Sequence, residues 1–300
     1  MTDLFEVDLD ADAAARFARQ LGGRRLQPLT VVIAAYNESE SIGAVLASMP
    51  AEVCGLGVNV LVVVDGASDD TAGVAGRAGA LICDVPVNRG QGAALRLGYR
   101  LARDHGAQLI ATLDADGQSD PAQLAQVVAP LVAGTADFVT GSRRLGTAHT
   151  DDRVRASGIV VFAALITVLT HHRVTDPSNG YRAMRADVPH VLTLRQPQYQ
   201  AAELLIGALL AGFRVAEVPI TVYRRTGGAA KKGTNFRYGA RFARVIVATW
   251  WRERVTYFRP VIGPLHPHPH PRPRRSAAPL RAAGSRPVVR QISPAGTPRT

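Results

Sequence analysis

The sequence predicts an α/β domain: a Rossmann-like, mostly parallel sheet with helices on both faces, followed by a basic amphipathic helix and a disordered tail. Three observations carry that expectation. Continuous apolar runs rich in Val, Ile and Leu recur between residues 29 and 143, the pattern of strands buried on both faces. Helix-length segments alternate with them, which is the order that builds a parallel sheet. Polar side chains gather just past the runs, at Asn37-Glu38, Asp65, Asn88, Asp114-Asp116 and Ser142-Arg143. Open α/β sheets bind their ligands in the crevice at those strand ends.

Taken in order, residues 1–26 form an N-terminal extension with an acidic start and a short helix in ADAAARFARQ, ended by Gly22-Gly23. TVVIAAY is the first strand, and Ser39 and Ser41 can cap the helix after it. VNVLVVVD (58–65) is a second strand, followed by a Gly/Ser/Asp turn and a small-residue helix over 70–79. ALICDV and AQLIATLD (107–114) are further strands, with a helix near 91–104 between them. Pro121 opens another helix at its first turn, where a missing N–H costs nothing. ADFVTGSR is a fifth strand and its exit. Within 153–170, GIVVFAALITVLT is shorter than the roughly 20 apolar residues a bilayer span needs, so it reads as a core helix or an interfacial one. A strand in GYRAMR, a helix over 201–213 and a strand over 214–223 complete the catalytic-size unit, 27–232. Residues 233–262 hold a basic helix, Asn235–Arg259, with Phe236, Phe242, Trp250 and Trp251 among its arginines. Such a helix can lie on a membrane surface or pack back on the domain.

Composition narrows the function classes. Three hundred residues at 31.9 kDa, 47% hydrophobic and 20% charged, exclude a collagen, a disulfide scaffold and a wholly disordered chain. Cys54 and Cys83 form no metal-ligand cluster, which points to a reducing, cytoplasmic setting, and no secretory leader is expected. The net charge of +11 is largely a property of residues 263–300, which carry seven Arg, no acids and nine of the nineteen Pro; without those arginines it is +4. This tail reads as a disordered polycation. Its His266, His268 and His270 read as a solvated Pro/His run, with weak metal binding as the alternative. The charge favours an anionic surface such as the inner face of a cell membrane, and no nucleic acid is expected.

Chemistry concentrates at Asp114-Ala115-Asp116-Gly117-Gln118. In an extended segment residues i and i+2 project to one side, so both carboxylates can face one ligand. Paired hard oxygens suit Mg²⁺ or Mn²⁺, which complete their shells with phosphate oxygens; a polar turn with Asp116 as a capping residue is the plainer alternative. Asp65 can accept hydrogen bonds from a base or ribose, while Asp69 and Asp70 read as cap acids. Asn88-Arg89-Gly90-Gln91-Gly92 offers close backbone approach and an Arg for phosphate. No GxGxxG follows the first strand and no P-loop is present.

The segments AAYNESESI, VVVDGASDDT, NRGQGAALRLGY, LDADGQSDP, GSR, DPSNGYRAMR and AEVPI, in this order and spacing, resemble family 2 glycosyltransferases of the GT-A fold, and among them the polyprenyl-phosphate (dolichyl-phosphate) sugar synthases. The resemblance covers about residues 28 to 232. It implies a nucleotide-sugar donor (UDP- or GDP-sugar), a divalent metal and inversion at the anomeric carbon. It implies that Ala35, Tyr36 and Glu38 border the nucleotide, Asp65 reads the base, Asp114 touches the ribose or metal shell, and Asp116 with Gln118 ligates the metal. Arg224 or Arg225 with Lys231 and Lys232 matches a basic lid over the departing diphosphate. Arg143, Arg153, Arg155 and Ser157 stand where acceptor phosphate is gripped, although the place of the family's Ser-Arg pair reads Ala156-Ser157-Gly158. That departure keeps a sugar hydroxyl acceptor open, for which Glu203 would be the catalytic base, against a helix-start carboxylate as the alternative. A nucleotidyltransferase would need a basic Gly-rich loop after the first strand, which AAYNESES is not. A non-catalytic binding module would rest on tail charge alone.

Overall fold

The computed structural model describes residues 2–149, 153–224, 235–257 and 290–292, with side chains for 9–149, 157–224, 239–255 and 290–292. In chain order the elements are α1 (Thr2–Leu21), β1 (Leu29–Ala35), α2 (Ile42–Ala47), β2 (Glu52–Val53), β3 (Leu56–Asp65), α3 (Thr71–Arg77), β4 (Leu81–Val85), α4 (Gln91–Asp104) and β5 (Leu109–Thr112). A 3₁₀ turn (Pro121–Gln123) then leads into α5 (Leu124–Val132), β6 (Phe138–Ala148), α6 (Arg153–Thr170), β7 (Arg182–Arg185), α7 (Val188–Val191), α8 (Gln200–Leu210), β8 (Val215–Val222), α9 (Asn235–Tyr257) and β9 (Arg290–Gln291).

Among the described residues these strands form one nine-stranded sheet, in which β4, β3, β1, β5, β7, β6, β8 and β9 lie side by side and β2 hairpins onto the start of β3. Pairings β4/β3, β3/β1, β1/β5 and β6/β8 are parallel, whereas β7 runs antiparallel between β5 and β6. The sheet is therefore mostly parallel and α/β, as the apolar runs predict. Helices α2, α3 and α5 cover one face, packing Ile42, Val45, Ala75, Leu124 and Val127 on it. The other face is covered by α1, α4, α6, α8 and α9 through Phe17, Leu97, Ile166, Leu204 and Phe242. Strands β1 and β3 have no polar face to spare, which is why they read as continuous runs.

Two expectations at the chain ends change. The N-terminal extension is a helix of 20 residues whose Ala13, Phe17 and Leu21 are buried in the core beside β4. At the other end, Arg290 and Gln291 pair with Glu217 and Ala216 of β8, and Ile292 is buried. Backbone hydrogen bonding to a free strand edge needs no side-chain periodicity, so a search for pattern in residues 263–300 could not find it. The rest of that tail, with its histidines, lies outside the described residues.

Candidate functional site

The parallel register sets Ala35 beside Val64 and Val85 beside Asp65, so the chain leaves β1, β3 and β4 along one edge of the sheet, with the end of β5 next to β1. The loops there are stitched together. Asn37, held at φ 51°, accepts hydrogen bonds from Ser68 N (2.8 Å) and Ser68 Oγ (3.4 Å). Glu38 N donates to Thr71 Oγ1 at 2.9 Å and Ser39 N to Asp69 Oδ2 at 3.1 Å. Burial works against the charge on Asp69, but hydrogen bonds from Thr71 and Ser39 outweigh it and hold its pKa at about 2. Ala35 is buried, Tyr36 is 38% exposed, and the Glu38 carboxylate accepts from Ser41 Oγ at 3.0 Å.

Asp65 ends β3 with its side chain buried, and its Oδ2 accepts from the backbone N–H of Arg89 (2.9 Å) and Gly90 (2.7 Å). Burial pushes its carboxyl above the ordinary carboxylate range, against those two N–H donors and the nearby guanidinium. Its Oδ1 is buried without a hydrogen bond, 3.6 Å from Arg89 Nε. Gly66, at φ 67°, is required here, because a Cβ would lie 2.2 Å from Asn88 N. The expected role of Arg89 changes: its side chain is 6% exposed and its Nη1 is bonded to Asp10 of α1 at 2.6 Å. Desolvated between two carboxylates, the guanidinium locks the N-terminal helix to the strand-end loop and does not face the crevice as a phosphate clamp. Nothing in the sequence around Asp10 signalled this, since the partners are 79 residues apart.

Strand β5 stops at Thr112, and Ala115-Asp116 lies in a turn, so the period-two argument for the two carboxylates does not apply. They are placed instead by separate tethers. Gln91 Nε2 donates to Asp114 Oδ1 at 2.9 Å, a contact that sequence reading missed. Asp114 Oδ2 looks onto Gly180, where a Cβ would sit 3.0 Å away, leaving that oxygen uncrowded. Asp116 Oδ1 accepts from Gln118 N at 3.1 Å across the turn. Gln118 exchanges backbone and side-chain bonds with Tyr223 at the end of β8 (2.9 and 3.4 Å), which brings Arg224, exposed, to the neighbourhood of the acidic turn. Arg225, Lys231 and Lys232 lie outside the described residues, as do the side chains of Arg153 and Arg155 at the start of α6; Ser157 is exposed on that helix. Among the described residues no three His, Cys, Asp or Glu side chains cluster as a metal cage. Two carboxylates and an amide oxygen fit a hard cation of the Mg²⁺ class, which takes one or two protein carboxylates and fills its shell with phosphate and water.

Two further expected roles are corrected. Arg143 Nε and Nη2 bind both oxygens of Asp176 (2.7 and 2.8 Å), and Nη2 also reaches Ser178 Oγ at 2.7 Å. That side chain is spent on the DPSNGYR loop and does not project as an acceptor clamp. Glu203 is 0% exposed on α8; it accepts from the N–H of Arg195 and Gln196 and from Arg252 Nη1, each at 3.0 Å. A carboxylate so enclosed and so fully bonded has no path to a substrate proton.

Two charged side chains of the remaining motifs are held inside the domain. Fully buried Arg182 binds the carbonyls of Asn179, Pro177 and Ala201, and burial draws its pKa down to about 10. Glu217 of AEVPI accepts from Thr175 and Asp176, and burial raises its pKa.

The profile of the glycosyl transferase family 2 matches residues 30–191. A protein described as an uncharacterised glycosyltransferase of Mycobacterium tuberculosis is 36% identical over 213 residues, 70% of this chain and 91% of its own. A dolichyl-phosphate hexose transferase of Haloferax volcanii is 32% identical over 227 residues, 76% of this chain and 96% of its own. In fold, the chain matches glucosyl-3-phosphoglycerate synthase of Mycobacterium tuberculosis, crystallised with Mn²⁺, UDP and glucosyl-3-phosphoglycerate, with TM-score 0.56, 23% identity, and 80% and 83% of the two chains covered.

Proposed function

The chain belongs to glycosyltransferase family 2, and from that premise we propose that it transfers a sugar from a nucleotide-sugar donor to a polyprenyl phosphate at the membrane surface, with inversion and with Mg²⁺ or Mn²⁺. The observation that carries the reading is the tethered set Asp65, Asp114 and Asp116 at the ends of neighbouring strands. We assign Asp65 to the base side of the donor site, its carboxylate held in place by the N–H groups of Arg89 and Gly90. Asp114 and Asp116, with Gln118, would hold the cation, which when bound neutralises charge on the departing diphosphate. Tyr36 and Glu38 border the nucleotide, and Arg224 with Arg225, Lys231 and Lys232 supplies positive charge where that diphosphate leaves. The Mn²⁺ and UDP crystallised with a protein of the same fold are consistent with this assignment.

Two arguments favour a phosphate acceptor. A phosphate monoester is anionic at neutral pH and attacks without a general base, whereas a hydroxyl gains about 10²–10⁴-fold from one. The burial of Glu203 withdraws the carboxylate named for that task. The relative from Haloferax volcanii is named for a dolichyl-phosphate acceptor. A lipid site also suits α6 and α9, which pack together through Phe162 and Phe242 and through Trp250 Nε1 on Leu169 O. They leave Val160, Val161, Val168, Val247, Trp251 and Val255 exposed, with Arg241 and Arg244 beside them. Apolar side chains among arginines are the composition of a helix lying in a headgroup layer; no helix among the described residues is long and apolar enough to cross a membrane. The test is a screen of UDP- and GDP-sugars with Mg²⁺ or Mn²⁺, reading nucleoside diphosphate release with and without polyprenyl phosphate. Release that needs the lipid phosphate and stops in EDTA is expected. Release driven only by a soluble sugar, or undiminished in EDTA, overturns the reading.

A further inference from the structure

Glu203 is unusually well bonded for a residue outside the crevice, and what it holds lies against the donor end of the sheet. Its two oxygens take the consecutive N–H groups of Arg195 and Gln196. Arg252 of α9 closes the other side, with Nη1 on Glu203 at 3.0 Å and Nη2 on Thr193 O at 2.6 Å. The turn so gripped rests on the glycine-rich loop. Pro197 O accepts from Gly92 N at 2.8 Å, and Gln196 O accepts from Arg96 Nη1 at 3.0 Å. The contact is close enough that a Cβ on Gly92 would meet Gln196 O at 1.9 Å, and one on Gly90 would meet Pro197 O at 2.7 Å. Gly90 N in turn bonds Asp65 Oδ2, and Gln91 bonds Asp114.

We propose that the Glu203–Arg252 pair is a positioning device for the donor site: it presses the turn at 195–197 onto residues 90–92 and so fixes the backbone that holds Asp65 and the side chain that holds Asp114. The proposal rests on the donor-site reading above. Arg195 and Pro197 are exposed, and the segment has no strand or helix of its own, so the charge-assisted bonds from its two adjacent N–H groups to the buried Glu203 carboxylate are what fix its position. Arg252 sits next to exposed Trp251, so the same pair ties the position of α9 to the loop that contacts the donor.

The test compares full-length wild type with Glu203→Gln, Arg252→Gln and the conservative Arg252→Lys. Three readouts are taken: amide hydrogen exchange at Gly92, the dissociation constants of UDP and GDP with Mn²⁺, and the donor KM and kcat of transfer. Removing the pair is expected to raise the exchange rate of Gly92 and weaken the better-bound nucleotide by about tenfold, the size of one lost positioning contact. Donor KM should rise with it while kcat at saturating donor stays within about threefold, and Arg252→Lys should recover part of both effects. Unchanged Gly92 exchange in all three variants overturns the inference. So does a kcat loss of about 100-fold or more in Glu203→Gln with unchanged nucleotide binding, the signature of a general base. If wild type binds neither nucleotide, the donor-site reading fails, and Gly92 exchange alone still decides whether the pair positions the loop. Should Glu203→Gln fail to fold, Arg252→Gln set against Arg252→Lys carries the same comparison.

Discussion

Replacing Arg143 with Ala separates a structural arginine from a substrate-binding one. The guanidinium joins both oxygens of Asp176, whose side chain is 0% exposed, and is itself 10% exposed. Glu217, also fully buried, takes the N–H of Asp176, so two carboxylates share this interior. Removing the cation leaves Asp176 with the N–H of residue 143 and the N–H and hydroxyl of Ser178, with no guanidinium bonded to it and only the longer-range attraction of Arg182. Breaking one side of a buried ion pair costs about 3–5 kcal/mol. For a domain of this size about 1 kcal/mol moves the midpoint by roughly 2–4 °C, so the thermal midpoint should fall by roughly 6–20 °C. Scanning calorimetry on the purified variant reads this directly. Arg143→Ala combined with Asp176→Asn should recover part of the loss, because the stranded charge is gone, and the two changes should therefore be strongly non-additive. If Arg143→Ala melts within about 1 kcal/mol of wild type and instead raises acceptor KM, the guanidinium is a phosphate ligand and the reasoning here is wrong.

Asp116→Asn should cut transfer by about 10²-fold or more, since a ligand and charge at the diphosphate are lost, while thermal stability hardly changes because the turn contributes little core; an equally active variant contradicts the cation site. Gly98→Ala adds a Cβ 2.3 Å from Val32 Cγ1 and 3.1 Å from Val63 Cγ2. Overpacking of about 1–3 kcal/mol outweighs the roughly 1 kcal/mol that Ala gains in a helix, so urea unfolding should shift to lower concentration. Burial opposes the charge on Asp137, but hydrogen bonds and attraction from Arg214 outweigh it and lower its pKa below 3.8. A lowered carboxylate stabilises the fold above its unfolded pKa and loses that contribution as pH falls through the folded value. Stability measured from neutral pH down to acid should therefore drop below about pH 4, and Asp137→Asn should flatten that segment of the curve.

What sequence alone determined is local and periodic. Apolar runs placed β1, β3, β4 and β6, helix α4 was predicted over its observed span, and the polar breaks after the strands pointed to the crevice proposed as the donor site. Side-chain pattern and turn chemistry are written in neighbouring residues, so they survive without a structure. The family followed from seven such segments in order. Tertiary structure decided how each charge is used. Arg89, Arg143 and Glu203 look alike to a motif: charged residues beside ligand-binding loops. In the fold their partners are Asp10, Asp176, and Arg195, Gln196 and Arg252, at separations of 79, 33 and between 7 and 49 residues. Burial decides the outcome, because a desolvated charge must be paired, and each of these three is taken up by partners inside the fold. The same physics explains the edge strand at Arg290–Gln291 and the core role of Phe17: both depend on which surface the sheet leaves uncovered, and that is fixed only once β8 and β4 have taken their places in it.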